Sequence, residues 1–279
     1  MIPRITLLVG SLMAALVVAR PAAGQDHREG DLRVTLELEY RGGPVDGHWQ
    51  TPAGGEVGTT TADRPEIDEF GIDWVNMPRL GLTGGLGRHS LYFEAQAIDL
   101  HGSGMLDITL MSQDQVFPAG TLVEANLDLD WYRAGYTYTH PLNLQGGPEP
   151  ELLVSASAGA LLLGADFELR GEDGAQAHRA YNKVGPQLGA GVEWRATDLL
   201  RLTGDLDMSL PFSDQPMVIS AELAAWLELF RNDAGQSGRL KLGIATETVE
   251  FDDKNKQTEP NEINIDLGPL LLLGVEITL

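Results

Sequence analysis

The chain has 279 residues, with 41 Asp and Glu against 19 Lys and Arg, a formal net charge of −22 and no cysteine. Such an acidic excess excludes a nucleic-acid-binding role, because neutralising phosphates needs basic patches. The absence of cysteine excludes disulfides, thiolate metal sites and a lipoprotein anchor on a cysteine.

In chain order, residues 1–24 read as a signal peptide. Arg4 supplies the positive start, Ile5 to Ala19 the apolar stretch, and Ala22-Ala23-Gly24 the small residues before a cut ahead of Gln25. Its removal takes away Arg4 and Arg20 and no acid, so residues 25–279 carry −24 and suit one all-β domain. Beyond the signal, no apolar run reaches the about 18 residues of a spanning helix.

Ten segments then alternate with the period of two that a strand imposes on its side chains. The first, 31–42, sets Leu32, Val34, Leu36, Leu38 and Tyr40 against Arg33, Thr35, Glu37, Glu39 and Arg41. The second, 68–85, carries Phe70, Ile72, Trp74, Leu80 and Leu82 on its apolar side, and the third, 89–100, sets Leu91 and Phe93 against Tyr92, Glu94 and Gln96. In the fourth, 120–140, the apolar phase slips from Leu127, Leu129 and Trp131 to Tyr132, Ala134, Tyr136 and Tyr138, which predicts a bulge. A tight turn at Asp130 is the alternative and would make twelve strands. Segments 151–170, 183–195, 199–210, 217–230 and 238–251 follow. The last, Ile263 to Leu279, offers an apolar stripe on every odd position. Pro78, Pro186 and Pro269 each remove a ladder donor, so each predicts a bulge or a local break.

The connections alternate too. Gaps 43–67, 101–119, 171–182, 211–216 and 252–262 are long or polar, whereas 86–88, 141–150, 196–198 and 231–237 are shorter. Bacterial barrels have short periplasmic turns, longer outer loops and an even strand count. The predicted fold is therefore all-β, a single antiparallel transmembrane β-barrel of about ten strands with its apolar faces toward lipid. Trp74, Trp131, Trp194, Tyr40, Tyr132, Tyr136 and Tyr138 are candidates for aromatic girdles at the two interfaces. A secreted β-sandwich shows the same alternation and remains the alternative.

The signal, the alternating strands and the apolar final strand together resemble the small outer-membrane β-barrel proteins of Gram-negative-type bacteria. The resemblance implies residence among outer-membrane lipid, and insertion by the barrel assembly machinery with periplasmic chaperones. Val275, Ile277 and Leu279 resemble the assembly signal of that class, which usually ends on an aromatic residue rather than leucine.

Like-charged pairs two apart, Glu37/Glu39, Asp128/Asp130 and Asp205/Asp207, place carboxylates on one face about 6.5–7 Å apart. Such a pair can hold a cation or a water. The preferred reading is a solvated acidic lumen, balanced in part by arginines and lysines. Asp128, Asp130, Asp205, Asp207, Glu222 and Glu228 are the residues expected to set the field of an ion path, which would favour cations. Six scattered histidines give no zinc site, and no cofactor is expected.

Two enzymatic barrel families offer further patterns. Omptin proteases use Asp/Asp and Asp/His pairs near the outer rim; the Asp pairs are present, and the match is taken to fail on its histidine. Lipid A deacylases use a His and a Ser two apart on one strand face. His89-Ser90 are adjacent, and His101-Gly102-Ser103 falls where a loop is expected. The functional expectation is a structural or narrow, cation-preferring channel protein. The alternatives are an outer-membrane enzyme and a binding module acting through the 43–67 and 101–119 loops.

Overall fold

Long alternating segments separated by turn residues leave the backbone one way to satisfy its hydrogen bonds across a sheet, and a sheet in lipid must close to lose its edges. The computed structural model describes residues 32–50, 65–113, 115–142, 152–210, 215–232, 235–252 and 262–279; the expected signal peptide lies outside them. The strands are β1 (Leu32–Gln50), β2 (Trp74–Leu86), β3 (His89–Met105), β4 (Leu110–Ser112), β5 (Gln115–Phe117), β6 (Leu122–Leu142), β7 (Leu152–Gly171), β8 (Gln176–Arg195), β9 (Leu200–Ser209), β10 (Met217–Arg231), β11 (Ser237–Asp252) and β12 (Glu262–Thr278). All but β4 and β5 pair antiparallel with their neighbours, and β1 meets β12 to close a ten-stranded barrel. β4 and β5 form a separate hairpin. β6 runs unbroken past Asp130, so the barrel has ten strands and not twelve.

The strands are longer than a membrane requires. β6 has 21 residues and β7 and β8 have 20 each, about twice the 9–11 residues that cross a bilayer. The two halves of the wall obey opposite rules. Toward the short turns, Leu91, Leu206, Leu223, Leu242, Leu271 and Leu273 are exposed on the outside, and polar side chains fill the inside. Toward the long loops, Asp99, Asp128 and Asp166 stand outside, while Leu127, Leu129, Trp131, Leu163, Phe167 and Ile265 are buried inside. The first half is a membrane belt and the second a crown beyond it, with a core of its own. Trp49 stacks on Phe70 at 5.1 Å and meets Phe167 edge-on at 5.5 Å, anchoring that core. Each such fully buried side chain contributes about 1.5–3 kcal/mol.

The crown is capped by the 3₁₀ turn Ile67–Phe70 and by the β4–β5 hairpin region, through buried Ile67, Phe70, Leu110 and Phe117. The turn lies directly on β3. A Cβ at Gly102 or Gly104 would strike the carbonyls of Phe70 and Glu69, so only glycine permits the approach.

Several predicted features differ. The second strand begins at Trp74, because residues 67–70 wind into the cap and take Phe70 and Ile72 into the crown core. β8 begins at Gln176, which shortens the connection expected at 171–182 to a tight turn around Gly174. β6 has no bulge: its pairing with β3 and β7 is continuous, so the phase slip at Trp131/Tyr132 marks a change of surroundings rather than of backbone. β12 does carry a bulge, between the positions paired to Gly42 and Val45, at Gly268-Pro269. Its odd-numbered stripe is therefore divided, with Ile263, Ile265 and Leu267 inside and Leu271, Leu273, Val275 and Ile277 outside. Pro78 gives the local break: its ladder to β1 is continuous, but Met77 and Pro78 are unpaired on the β3 side, while Pro186 stays in register with Ala160 and lies just beyond the last pair with β9. Trp74, Trp194, Tyr40, Tyr132, Tyr136 and Tyr138 are exposed on the outer wall as girdle residues should be, whereas Trp131 is inside the crown core.

Candidate functional site

The polar half of the lumen is organised around Arg41, which is 1% exposed. Alternation on β1 puts Glu37, Glu39 and Arg41 inside, and closure of the barrel brings β10 and β11 opposite them. Arg41 Nη1 donates to Glu247 Oε1 at 2.5 Å and Nη2 to Glu222 Oε2 at 2.6 Å, while Nε donates to Glu39. Lys241 Nζ lies 2.8 Å from Glu37 and 2.6 Å from Glu222, and also pairs with Glu39. Arg79 donates to Glu94 at 2.6 Å. Gln96 Nε2 reaches Glu247 Oε2 at 2.9 Å. Nearer the short turns, Arg201–Glu193 and Arg239–Glu276 pair at 2.6 and 3.0 Å. The arrangement is a cross-lumen clamp. Buried carboxylates there each meet a cation, which offsets the penalty of leaving water.

Beside the clamp lies a polar cavity of about 260 Å³, lined on β7–β9 by Ser155, Ser157, Gln187, Asp205 and Asp207. Its lining also includes Thr83, Ser90 and Thr137, close to the short turns. Above the clamp, the crown core fills the barrel with apolar side chains.

Of the six residues expected to line an ion path, Asp205, Asp207 and Glu222 line this cavity. Glu228 faces the short-turn mouth and pairs with Arg231 at 2.6 Å. Asp128 and Asp130 do not join them. They alternate with buried Leu127, Leu129 and Trp131, so both point to the outer wall of the crown. The reason is the water line: beyond the membrane the apolar face of a strand turns inward and the acids outward. Asp128 there stands directly between Asp99 and Asp166 of the neighbouring strands.

An Asp-x-His pair is present on β3, against the sequence expectation. Asp99-Leu100-His101 is an Asp-x-His, and Asp99 Oδ1 lies 3.3 Å from His101 Nδ1. Because β3 extends to Met105, His101 and Ser103 are on a strand rather than in a loop, and with Asp99 they share its outer, exposed face. Arg41 and Glu247, the centre of the clamp, were not singled out from sequence. Alternation places each inside, but only barrel closure reveals that residues 206 apart meet.

No protein-family model and no curated protein matches the chain. Solved structures with a similar course include Ail, the attachment invasion locus protein of Yersinia pestis, at 9% identity and TM-score 0.35, covering 89% of this chain and 99% of that one. The translocator domain of the autotransporter NalP from Neisseria meningitidis aligns at 12% identity and TM-score 0.34, over 97% and 94% of the two chains. A FadL homologue of Pseudomonas aeruginosa aligns at 10% identity and TM-score 0.31, over 88% and 90%. At these values the likeness identifies no relative; the membrane placement rests on the closed wall, its apolar belt and its aromatic girdles. The chain is an outer-membrane β-barrel. With short turns and both barrel termini at one end, that end faces the periplasm and the crown faces out.

Proposed function

We propose that this chain is a structural outer-membrane barrel with a closed lumen, which holds a rigid acidic crown above the membrane. One observation carries the reading: apolar side chains meet across the outer half of the barrel, Trp49 of β1 reaching Phe167 of β7 at 5.5 Å and Phe251 of β11 reaching Tyr181 of β8 at 5.5 Å. A plug that is mostly apolar, with the Lys183 ammonium 5.0 Å over the Phe251 ring, offers a cation little to replace its hydration shell. The assembly machinery and periplasmic chaperones are the proposed partners in biogenesis, on the strength of the outward Leu271, Leu273, Val275 and Ile277 of the closing strand.

The test is conductance of the refolded protein in a planar bilayer under a salt gradient, with heat-modifiable gel mobility to show that it folded. No discrete steps are expected. Discrete cation-selective steps would refute closure and favour the channel reading, with Asp205, Asp207, Glu222 and Glu228 as the path.

A second reading has one observation in its favour: Asp99, His101 and Ser103 on one outer face of β3, with the Asp–His hydrogen bond made. That is the residue set of a serine hydrolase at the outer membrane surface. Labelling of the folded protein by a fluorophosphonate, lost in Ser103→Ala, would support it; an unlabelled protein would remove it.

A further inference from the structure

The lumen wall on β7, β8 and β9 repeats one pattern in two successive rows. Strand register sets Ser157, Gly189 and Asp207 side by side, and Ser155, Gly191 and Asp205 in the row two residues nearer the periplasm. In both rows the middle residue is glycine, and the hydroxyl and the carboxylate lean together over it. A Cβ at Gly189 would collide with Asp207 Oδ1 and Ser157 Oγ, and one at Gly191 with Asp205 Oδ1 and Ser155 Oγ. Four oxygens from the two flanking strands thus gather over the middle one.

A buried amide lies beside them. Gln187, in the next row, is 3% exposed and lies against Asp207, yet its Oε1 has no hydrogen-bond partner. A buried amide oxygen left without a donor is unfavourable unless something else meets it. The Tyr92 hydroxyl, which lies over Gly135 and Gly159, faces the same cavity.

Charge points the same way. Seven carboxylates and five cationic side chains line the cavity. Glu37, Glu94, Glu193, Glu222 and Glu276 are each in an ion pair. Among the described residues, Asp205 and Asp207 are the two lining carboxylates in no ion pair, and they equal the excess. Asp205 is exposed to the lumen and Asp207 is half-buried, so both are open to an ion entering the cavity.

We propose that Asp205 and Asp207, with Ser155, Ser157 and Gln187, bind one calcium ion in the lumen. Every donor is a hard oxygen, which suits calcium or magnesium and not a thiolate- or imidazole-preferring metal. A divalent ion matches the excess of two charges, where a monovalent ion leaves one. Calcium accepts an irregular shell of six to eight oxygens completed by water, whereas magnesium demands a near-ideal octahedron that two parallel cross-strand rows do not supply. The ion reaches the site from the periplasmic mouth, through the part of the cavity lined by Thr83, Ser90 and Thr137.

The experiment uses the full mature chain refolded in detergent and stripped with EDTA. Calcium binding is measured by titration calorimetry, and thermal stability by the loss of folded gel mobility, with calcium and with EDTA. One calcium per barrel is expected, with a higher unfolding temperature in calcium than in EDTA. Asp205→Asn/Asp207→Asn should bind none and unfold at a temperature indifferent to either. Should that variant not fold, Ser155→Ala/Ser157→Ala replaces it, with calcium affinity reduced about tenfold as two ligands are lost. Asp128→Asn/Asp166→Asn, which removes acids of the outer wall, should bind as the parent does. No binding by the parent, binding retained by both lumen variants, or binding lost in the outer-wall variant would each overturn the proposal.

Discussion

Replacing Arg41 by methionine tests the lumen clamp, and the structure says how large the effect should be. Arg41 contacts Glu39, Glu222 and Glu247, so a simple count assigns three lost ion pairs. The count overstates the loss. Glu39 keeps Lys241 and, at 3.6 Å, Arg79, and Glu222 keeps Lys241 at 2.6 Å and Arg79 at 3.5 Å. Glu247 has no other cation among the described residues; it retains Gln96 Nε2 at 2.9 Å and Ser220 Oγ at 3.4 Å. One buried carboxylate is therefore orphaned. Breaking one buried pair on one side costs about 3–5 kcal/mol, consistent with about 4 kcal/mol for unit charges 4 Å apart at an effective dielectric of 20. Arg41→Met/Glu247→Gln removes the orphan and should recover most of the loss, to within about 1–2 kcal/mol of the parent. Arg41→Met/Glu39→Gln should recover much less, because Glu39 was never left alone. Urea unfolding in lipid vesicles, followed by tryptophan fluorescence and folded gel mobility, measures all three. An Arg41→Met variant within about 1 kcal/mol of the parent, or equal rescue by the two second substitutions, would refute the reasoning.

Other consequences follow from the division of the wall. Phe167→Ala, which empties a fully buried position of the crown core, should lower stability by about 3–5 kcal/mol in the same assay without preventing insertion. Leu223→Arg places a charge on the lipid face and should cost about 2–4 kcal/mol near the bilayer centre. Asp166→Arg, on the same outward side but in the crown, should change stability by about 0.5 kcal/mol or less, since it also breaks a row of like charges. Equal costs at the two positions would place the water line wrongly. At the cap, partial burial, and then Asp107, Asp68 and Glu66 nearby, hold the Glu69 carboxyl above its ordinary range. The folded state then binds that proton more tightly than the unfolded chain, so stability falls as pH rises through the shifted value. Glu69→Gln should raise the unfolding temperature at neutral pH and leave it unchanged below the carboxylate range.

The strand count and the parity of the connections were legible, because alternation and turn composition are local properties. Strands seven, eight and nine of the prediction correspond closely to β9, β10 and β11. What a period of two does not carry is which of its faces is inside. Asp128 and Asp130 were assigned to the lumen because Leu127 and Leu129 were taken to face lipid; in the crown the same alternation has the opposite meaning. Strand length was the available signal, since a segment as long as 120–140 has more residues than the bilayer can hold. The clamp was legible only in part. Alternation puts Glu39, Arg41, Glu222 and Lys241 inside, but their meeting depends on closure and on the stagger of ten strands. The unpaired state of Asp205 and Asp207 depends on every other charge in the lumen and has no local signature.

β6 and β12 show that the change of surroundings, not the backbone, governs the pattern. β6 meets it by sequence: its apolar residues move from odd to even positions at Trp131/Tyr132, and the register stays continuous. β12 meets it by geometry: its apolar residues stay on odd positions from Ile263 to Ile277, and the bulge at Gly268-Pro269 turns the strand over. Gly268, at φ +134°, takes a backbone conformation that L side chains rarely adopt, which explains glycine there. Both strands end with the same result, apolar residues inward in the crown and outward in the membrane. A phase slip without a bulge and a bulge without a phase slip are equivalent answers to one physical demand. A slip in alternation within a strand longer than about 11 residues is therefore read first as a water line, and as a backbone irregularity only where glycine or proline supplies the means.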